Sequence, residues 1–159
     1  MDPTEIQFAA DRMLGRLAKM LRLLGYDTLY APDMSATRLL EIARQGERAL
    51  LTRGDIQKRF KGVGRVYSLR SEHPAEQLRE VVEEFGLDTR SGLWTRCTLC
   101  NSPITAVDKG EVGSSLDPKI LQVYEQFFRC TGCRHIYWRG SHVERILKNL
   151  DGLLRQSEG

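Results

Sequence analysis

Apolar positions in the first half of the chain alternate between short runs and helical stripes. Residues 6–10, Ile-Gln-Phe-Ala-Ala, form a short run that Asp11 ends. Beyond it, Met13, Leu17, Met20, Leu21 and Leu24 recur at three- to four-residue spacing, which predicts an amphipathic helix over 12–24 with Gly25 as its left-handed stop. Residues 27–31 read as a second strand, and Pro32-Asp33-Met34-Ser35 as a turn into a helix over 36–45. That helix turns Leu39, Leu40, Ile42 and Ala43 inward and stops at Gly46. Residues 48–52 form a third strand, Arg53-Gly54-Asp55 leads to a short helix reaching Phe60, and a turn at Gly62-Val63-Gly64 precedes a fourth strand at 65–69. His73-Pro74-Ala75-Glu76 opens the next helix, with proline at its first position and a glutamate in its first turn, and Gly86 closes it. Strands separated by helices and joined by short turns imply a parallel α/β sheet with right-handed crossovers and helices on its faces.

In such sheets the functional crevice lies at the carboxyl ends of the strands. One acid follows each predicted strand: Asp11, Asp33, Asp55 and Glu72. Carboxylates gathered from separate strand ends repel one another, and a hard divalent cation such as Mg²⁺ or Mn²⁺ relieves that repulsion. The arrangement suits hydrolysis of a phosphodiester by metal-activated water. Each acid also has an ordinary role: Asp11 and Asp55 as helix caps, Asp33 as a turn former, Glu72 as a solvated charge. Their coincidence at all the strand ends favours a site. Arg12, Arg16, Lys19 and Arg22 form an acid-free stripe on the first helix that begins beside Asp11. The stripe matches a phosphate-binding surface and equally the wet face of an amphipathic helix.

The second half has a different logic. All four cysteines lie in two knuckles, Cys97-Thr-Leu-Cys100 and Cys130-Thr-Gly-Cys133. Two thiolates per knuckle supply the tetrahedral shell of a structural zinc ion and leave no open position for water, so this module stabilises or binds and does not catalyse. The 29 residues between Cys100 and Cys130 exceed the common zinc-ribbon spacing and call for an insertion or a long hairpin. A pair of disulfides belongs to short exported domains, and a redox motif needs only one knuckle. With its shell complete, zinc does not require His135 or His142, and His142 is assigned to RNA contact or helix capping. Tyr124, Phe127, Phe128, Tyr137 and Trp138 are interleaved with Arg129, Arg134 and Arg139. That mixture suits single-stranded RNA, and it also suits a small ribbon whose only core is aromatic. Trp94 falls at the junction, where packing between modules competes with stacking on a base. Gly140-Ser141-His142, followed by Val143, Ile146, Leu147, Leu150 and Leu153, predicts a final amphipathic helix docked on the first module.

Composition adds limits. The chain has 159 residues, 41 % of them apolar, enough for one good core and a small metal-held module. No apolar run approaches the roughly 20 residues of a membrane span, and the start, Met-Asp-Pro-Thr-Glu, lacks an apolar export segment. With reduced cysteines, these features lead us to expect a cytoplasmic protein. The net charge of +3 is compatible with an anionic partner. The expected division is an α/β domain over 1–90 and a zinc ribbon with a C-terminal helix over 91–159.

Several stretches together resemble a known family. The segment from Asp11 to Asp27 (Asp-Arg-Met-Leu-Gly-Arg-Leu-Ala-Lys-Met-Leu-Arg-Leu-Leu-Gly-Tyr-Asp), Leu50-Leu-Thr-Arg53, Pro74-Ala-Glu-Gln-Leu-Arg79, both knuckles and Tyr137-Trp-Arg-Gly-Ser-His142 resemble, in order, the Mut-seven-C RNase family. The resemblance implies a PIN-like α/β nuclease fold followed by a zinc ribbon, and divalent-metal-dependent cleavage of single-stranded or structured RNA. It places Asp11 as the first-strand acid. Where the family has an aspartate directly after Leu-Thr-Arg, this chain has Gly54 and then Asp55. The leading expectation is an endoribonuclease with Asp11, Asp33, Asp55 and Glu72 at its metal site, and Arg12, Arg16, Lys19 and Arg53 on phosphate. The alternative is a noncatalytic RNA-binding or adaptor protein.

Overall fold

The computed structural model describes residues 5–53, 62 and 64–157; Asp55 and the short helix expected after it lie outside these. The first module is a four-stranded sheet of β1 (Phe8–Ala10), β2 (Thr28–Leu29), β3 (Ala49–Arg53) and β4 (Val66–Leu69). Its order is β2-β1-β3-β4 and every pairing is parallel, as expected. Helices α1 (Gly15–Leu23), α2 (Ala36–Gln45) and α3 (Pro74–Phe85) cover its faces. Side chains alternate across the sheet. Phe8, Ala10, Ala49 and Leu51 pack with Leu17 and Leu21 of α1 and Leu78 and Val81 of α3, whereas Ala9 and Leu50 meet Leu39, Ile42 and Ala43 of α2.

The helix boundaries have local causes. Ser35 caps α2 by accepting a hydrogen bond from the Arg38 N–H, and Gly46 ends it at φ 73°. Helix α1 begins later than the periodicity predicts, because 11–14 form a turn closed by the Leu14 N–H donating to the Asp11 carbonyl at 2.9 Å. Met13 consequently leaves the apolar stripe and is 62 % exposed.

From β1 the chain crosses by α1 to β2 on one side, then by α2 to β3 on the other. The direction of winding reverses about β1. That makes the carboxyl ends of β1 and β3 the topological switch point, where open α/β sheets place their ligands.

The second module is an antiparallel sheet of β5 (Ile104–Val107), β6 (Phe127–Cys130) and β7 (Ile136–Trp138). Two short helices, α4 (Lys109–Val112) and α5 (Pro118–Val123), occupy the long stretch between the knuckles. Helix α6 (Ser141–Ser157) then returns to the first module. There Leu150 is buried in the main core, with Leu147 and Leu154 packed against it. Burying a leucine contributes roughly 1.5–3 kcal/mol, which anchors the end of the chain to the parallel sheet.

A polar seam joins the modules. Asn101, at φ 73°, accepts at Oδ1 from the Thr28 N–H of edge strand β2 at 3.0 Å and donates from Nδ2 to Asp27 at 2.7 Å. Asp27 also pairs with Arg48 at 2.8 Å. Gly25, at φ 97°, lies so close to Gly92 that a Cβ there would sit 2.3 Å from the Gly92 carbonyl oxygen. No other residue fits that crossing.

Candidate functional site

The four cysteines form one group, with their sulfurs all within 4.8 Å of one another. Each knuckle closes the same way: the Asn101 N–H donates to the Cys97 carbonyl at 3.0 Å, and the Arg134 N–H to that of Cys130 at 3.1 Å. Asn101 and Arg134, each following its knuckle's second cysteine, are both left-handed, at φ 73° and 65°. The sulfurs of Cys97 and Cys133 are 3.7 Å apart, and those of Cys100 and Cys130 are 3.3 Å apart. A tetrahedron with metal–sulfur bonds near 2.3 Å has edges of about 3.8 Å, so this donor set fits a metal of that size.

The surroundings act on the cysteines in opposite directions. The Gly132 and Cys133 N–H groups both donate to the Cys130 sulfur at 3.3 Å. A Cβ on Gly132 would lie 2.4 Å from Ser102 Oγ and 3.2 Å from the Cys100 sulfur, so the turn is crowded. Burial and its hydrogen bond to Cys97 push the Tyr137 hydroxyl up to about 12. The hydroxyl lies within hydrogen-bond distance of that sulfur, at 2.9 Å. Hydrogen bonds from Ser102 pull the Cys100 thiol down to about 6. Cys133, against a backbone hydrogen bond from His135, is pushed up to about 12 by burial and by its three cysteine neighbours. Thiols this close do not all ionise without a cation among them. His135 stands outside the cluster with its ring edge-on to Tyr137 at 4.7 Å, and the His142 side chain lies outside the described residues.

At the carboxyl edge, Asp11 is only 7 % exposed. Its N–H continues the ladder by donating to the Leu51 carbonyl at 3.0 Å, and its Oδ1 accepts from the Arg12 N–H at 2.7 Å. The register pairs Ala10 with Leu51, so Asp11 falls beside Thr52. Thr52 is fully buried, and its hydroxyl has no hydrogen-bond partner among the described residues. Pattern reading passed over this threonine, since a hydroxyl on an inward strand position gives no chemical signal until its missing partner is seen. Asp33 is exposed in the turn after β2. Glu72 is exposed after β4 and pairs with Arg53 at 2.6 Å, an ion pair that holds its carboxyl below the usual range. Among the described residues the cysteines are the one cluster of three or more metal-ligating groups, so Asp11, Asp33 and Glu72 stand at strand ends without closing on one another.

Buried Glu80 was also missed. It accepts from the Arg70 and Ser71 N–H groups at 3.1 and 2.9 Å, fixing the loop that presents Glu72.

The basic stripe divides. Arg12, Arg16 and Lys19 are exposed and have no ion-pair partner among the described residues. Arg22 departs from the expectation: it is 5 % exposed, and its guanidinium donates to the carbonyls of Thr28, Thr98 and Leu99 at 3.0, 3.1 and 3.2 Å. Burial lowers its pKa, while Cys97, Cys100 and Asp27 oppose that effect. Arg22 is thus a clamp between β2 and the first knuckle. Trp94 packs, as weighed at the junction, with Cys97, Ile104 and Cys130. Its ring stacks on Phe128 at 5.7 Å, and Arg139 lies over it at 5.7 Å.

The fold and its cysteine cluster define an α/β protein with a polar carboxyl edge, braced by a four-cysteine module suited to a structural metal. The chain matches the Mut7-C RNAse domain over residues 6–150, and it belongs to that family. A comparison with curated proteins gave no match. No helix among the described residues is long and apolar enough to cross a membrane.

Proposed function

We propose that this protein is a divalent-metal-dependent endoribonuclease whose site is the carboxyl edge of the parallel sheet. The observation that carries the reading is the buried Asp11 carboxylate at the switch point, beside the fully buried Thr52 hydroxyl, which has no hydrogen-bond partner among the described residues. A hard cation accepts such oxygen donors, so the residues fit Mg²⁺ or Mn²⁺. Asp11, Asp33 and Asp55 would hold it, with Glu72 as the secondary candidate; a bound metal of this kind supplies activated water and charge stabilisation. Arg12, Arg16 and Lys19, cations with no ion-pair partner among the described residues, hold the RNA backbone. Arg53 is drawn to Glu72, and an incoming phosphate would compete for its guanidinium. Zn²⁺ in the cysteine cluster is structural, and the ribbon over 91–159 braces the α/β domain of 1–90 while adding RNA affinity, with His142 among its contacts. The substrate is single-stranded or structured RNA, and the setting is the cytoplasm.

The second reading, a noncatalytic RNA-binding or adaptor protein, is favoured by the Arg53–Glu72 ion pair and by Gly54 in the family's aspartate position. Cleavage of a labelled mixed-structure RNA in Mg²⁺ or Mn²⁺, with EDTA and Asp11→Asn controls, separates the two. Metal-dependent cleavage lost in the variant supports the nuclease. RNA that is bound and left intact under every metal supports the adaptor.

A further inference from the structure

Between α1, the first turn of α3, the ribbon sheet and the start of α6 lies a cleft of about 690 Å³, within the size range of small-ligand sites. Its floor is apolar and aromatic, with Trp94, Tyr137 and Trp138 contributed by the ribbon. Arg16, Lys19 and Arg96 also line it, and no described lining residue is acidic. The aromatic rings differ in availability. Trp94 is covered by Phe128 and Arg139, and Tyr137 is tethered to Cys97. Trp138 is half-buried and is met by Tyr124 only at a tilt, with ring centroids 6.5 Å apart. Pro74 and Ala75, the first residues of α3, bring the positive end of that helix to the cleft.

Resting on the ribonuclease reading, we propose that this cleft captures one unpaired nucleobase of the RNA, stacked on Trp138, with the adjoining phosphate held by Arg16 and Lys19. An aromatic ring accepts any base face, and cations beside it complement the backbone; together these are the means by which proteins hold single strands. The cleft also connects with the proposed chemistry. Helix α1 starts four residues after Asp11 and its nine residues span roughly 13 Å, so a strand lying along exposed Arg12 in the turn before it and Arg16 and Lys19 on it joins the carboxyl edge to the cleft. A base-paired duplex cannot present a free base there, which makes the cleft selective for unpaired RNA.

The test is fluorescence anisotropy of a short labelled single-stranded oligoribonucleotide with full-length Asp11→Asn protein in Mg²⁺, alongside cleavage by the protein with Asp11 intact. Moving an abasic nucleotide along the oligomer should weaken binding about tenfold at one position. In a Trp138→Leu background, affinity should fall by a similar factor and the abasic effect should vanish. Arg16→Ala/Lys19→Ala should reduce the slope of log affinity against log salt by about 1.4. Both arginine and lysine are exposed, so that pair keeps the test decisive if Trp138→Leu loosens the ribbon. A flat abasic scan, or a salt slope unchanged in the double variant, with RNA still bound and cleaved would overturn the cleft and leave the nuclease standing. RNA neither bound nor cleaved would overturn both.

Discussion

The cysteine cluster and the carboxyl edge both draw on side chains from distant parts of the chain, and among the described residues only the cluster brings them together. In the cluster, each knuckle is complete within five residues, closed by its own backbone hydrogen bond and a left-handed residue. One strand pairing, Ile104 with Cys130, then suffices to bring the knuckles together. At the carboxyl edge each acid comes from a different strand end, and no local turn decides where it points. Asp11 is held by the ladder, Glu72 is taken by Arg53, and Asp33 stays in solvent. A site assembled from two prefolded turns is robust, whereas one assembled from separate loops depends on every loop.

The largest effect that would break this contrast is loss of the metal from the cluster. Binding of zinc to comparable ligand sets is linked to folding by on the order of 10 kcal/mol. Chelation or Cys97→Ser should therefore release about one equivalent of zinc and open residues 95–140 to limited proteolysis; unchanged digestion would show that the ribbon holds without metal.

Next in size is Arg22. Arg22→Ala strands three carbonyls at the seam and should cost about 3 kcal/mol in urea unfolding. Arg16→Ala, six residues earlier on the same sequence stripe, should stay within about 0.5 kcal/mol and act on RNA affinity instead. Equal effects from the two would dissolve the distinction between clamp and contact.

Asp11→Asn should lower cleavage by about a hundredfold while leaving the melting temperature within a degree or two of the parent, roughly the resolution of such a comparison. A parallel loss of stability would reassign Asp11 to capping.

The smallest effect is a pH dependence at the seam. Although burial raises the pKa of Asp27, hydrogen bonds from Arg48 and Asn101 outweigh it, and the carboxyl titrates below its ordinary 3.8. A depressed carboxylate stabilises the fold above its unfolded pKa and loses that contribution as pH falls through the folded value. Asp27→Asn should therefore cost about 1.5 kcal/mol at pH 7, and the difference should shrink once the pH drops below about 3.8. A difference that stays constant down to pH 3 would remove the ionic part of the seam.

Much of this was legible along the chain. The helix over 36–45 matches α2 at both ends, because Ser35 and Gly46 are local signals that need no tertiary partner. The start of α1 was not legible, since Asp11 is drawn into the β1 ladder and forces a turn before the helix can begin. Equal periodicity likewise hid the difference between Arg22 and Arg16. Both occupy the polar stripe, and only the arrival of the first knuckle turned one of them into a buried clamp.

What the residue pattern determined was local: strand and helix order, caps, the two knuckles, and an acid after each strand. These follow from short-range sterics, hydrogen bonding and spacing, which a few neighbouring residues decide. Tertiary structure alone decided that β1 sits inside the sheet, that Thr52 lies buried beside Asp11, that Arg53 takes Glu72, and that α1 and the ribbon enclose a cleft. Those facts depend on which distant surfaces exclude water together, a choice made by the packing of the whole chain.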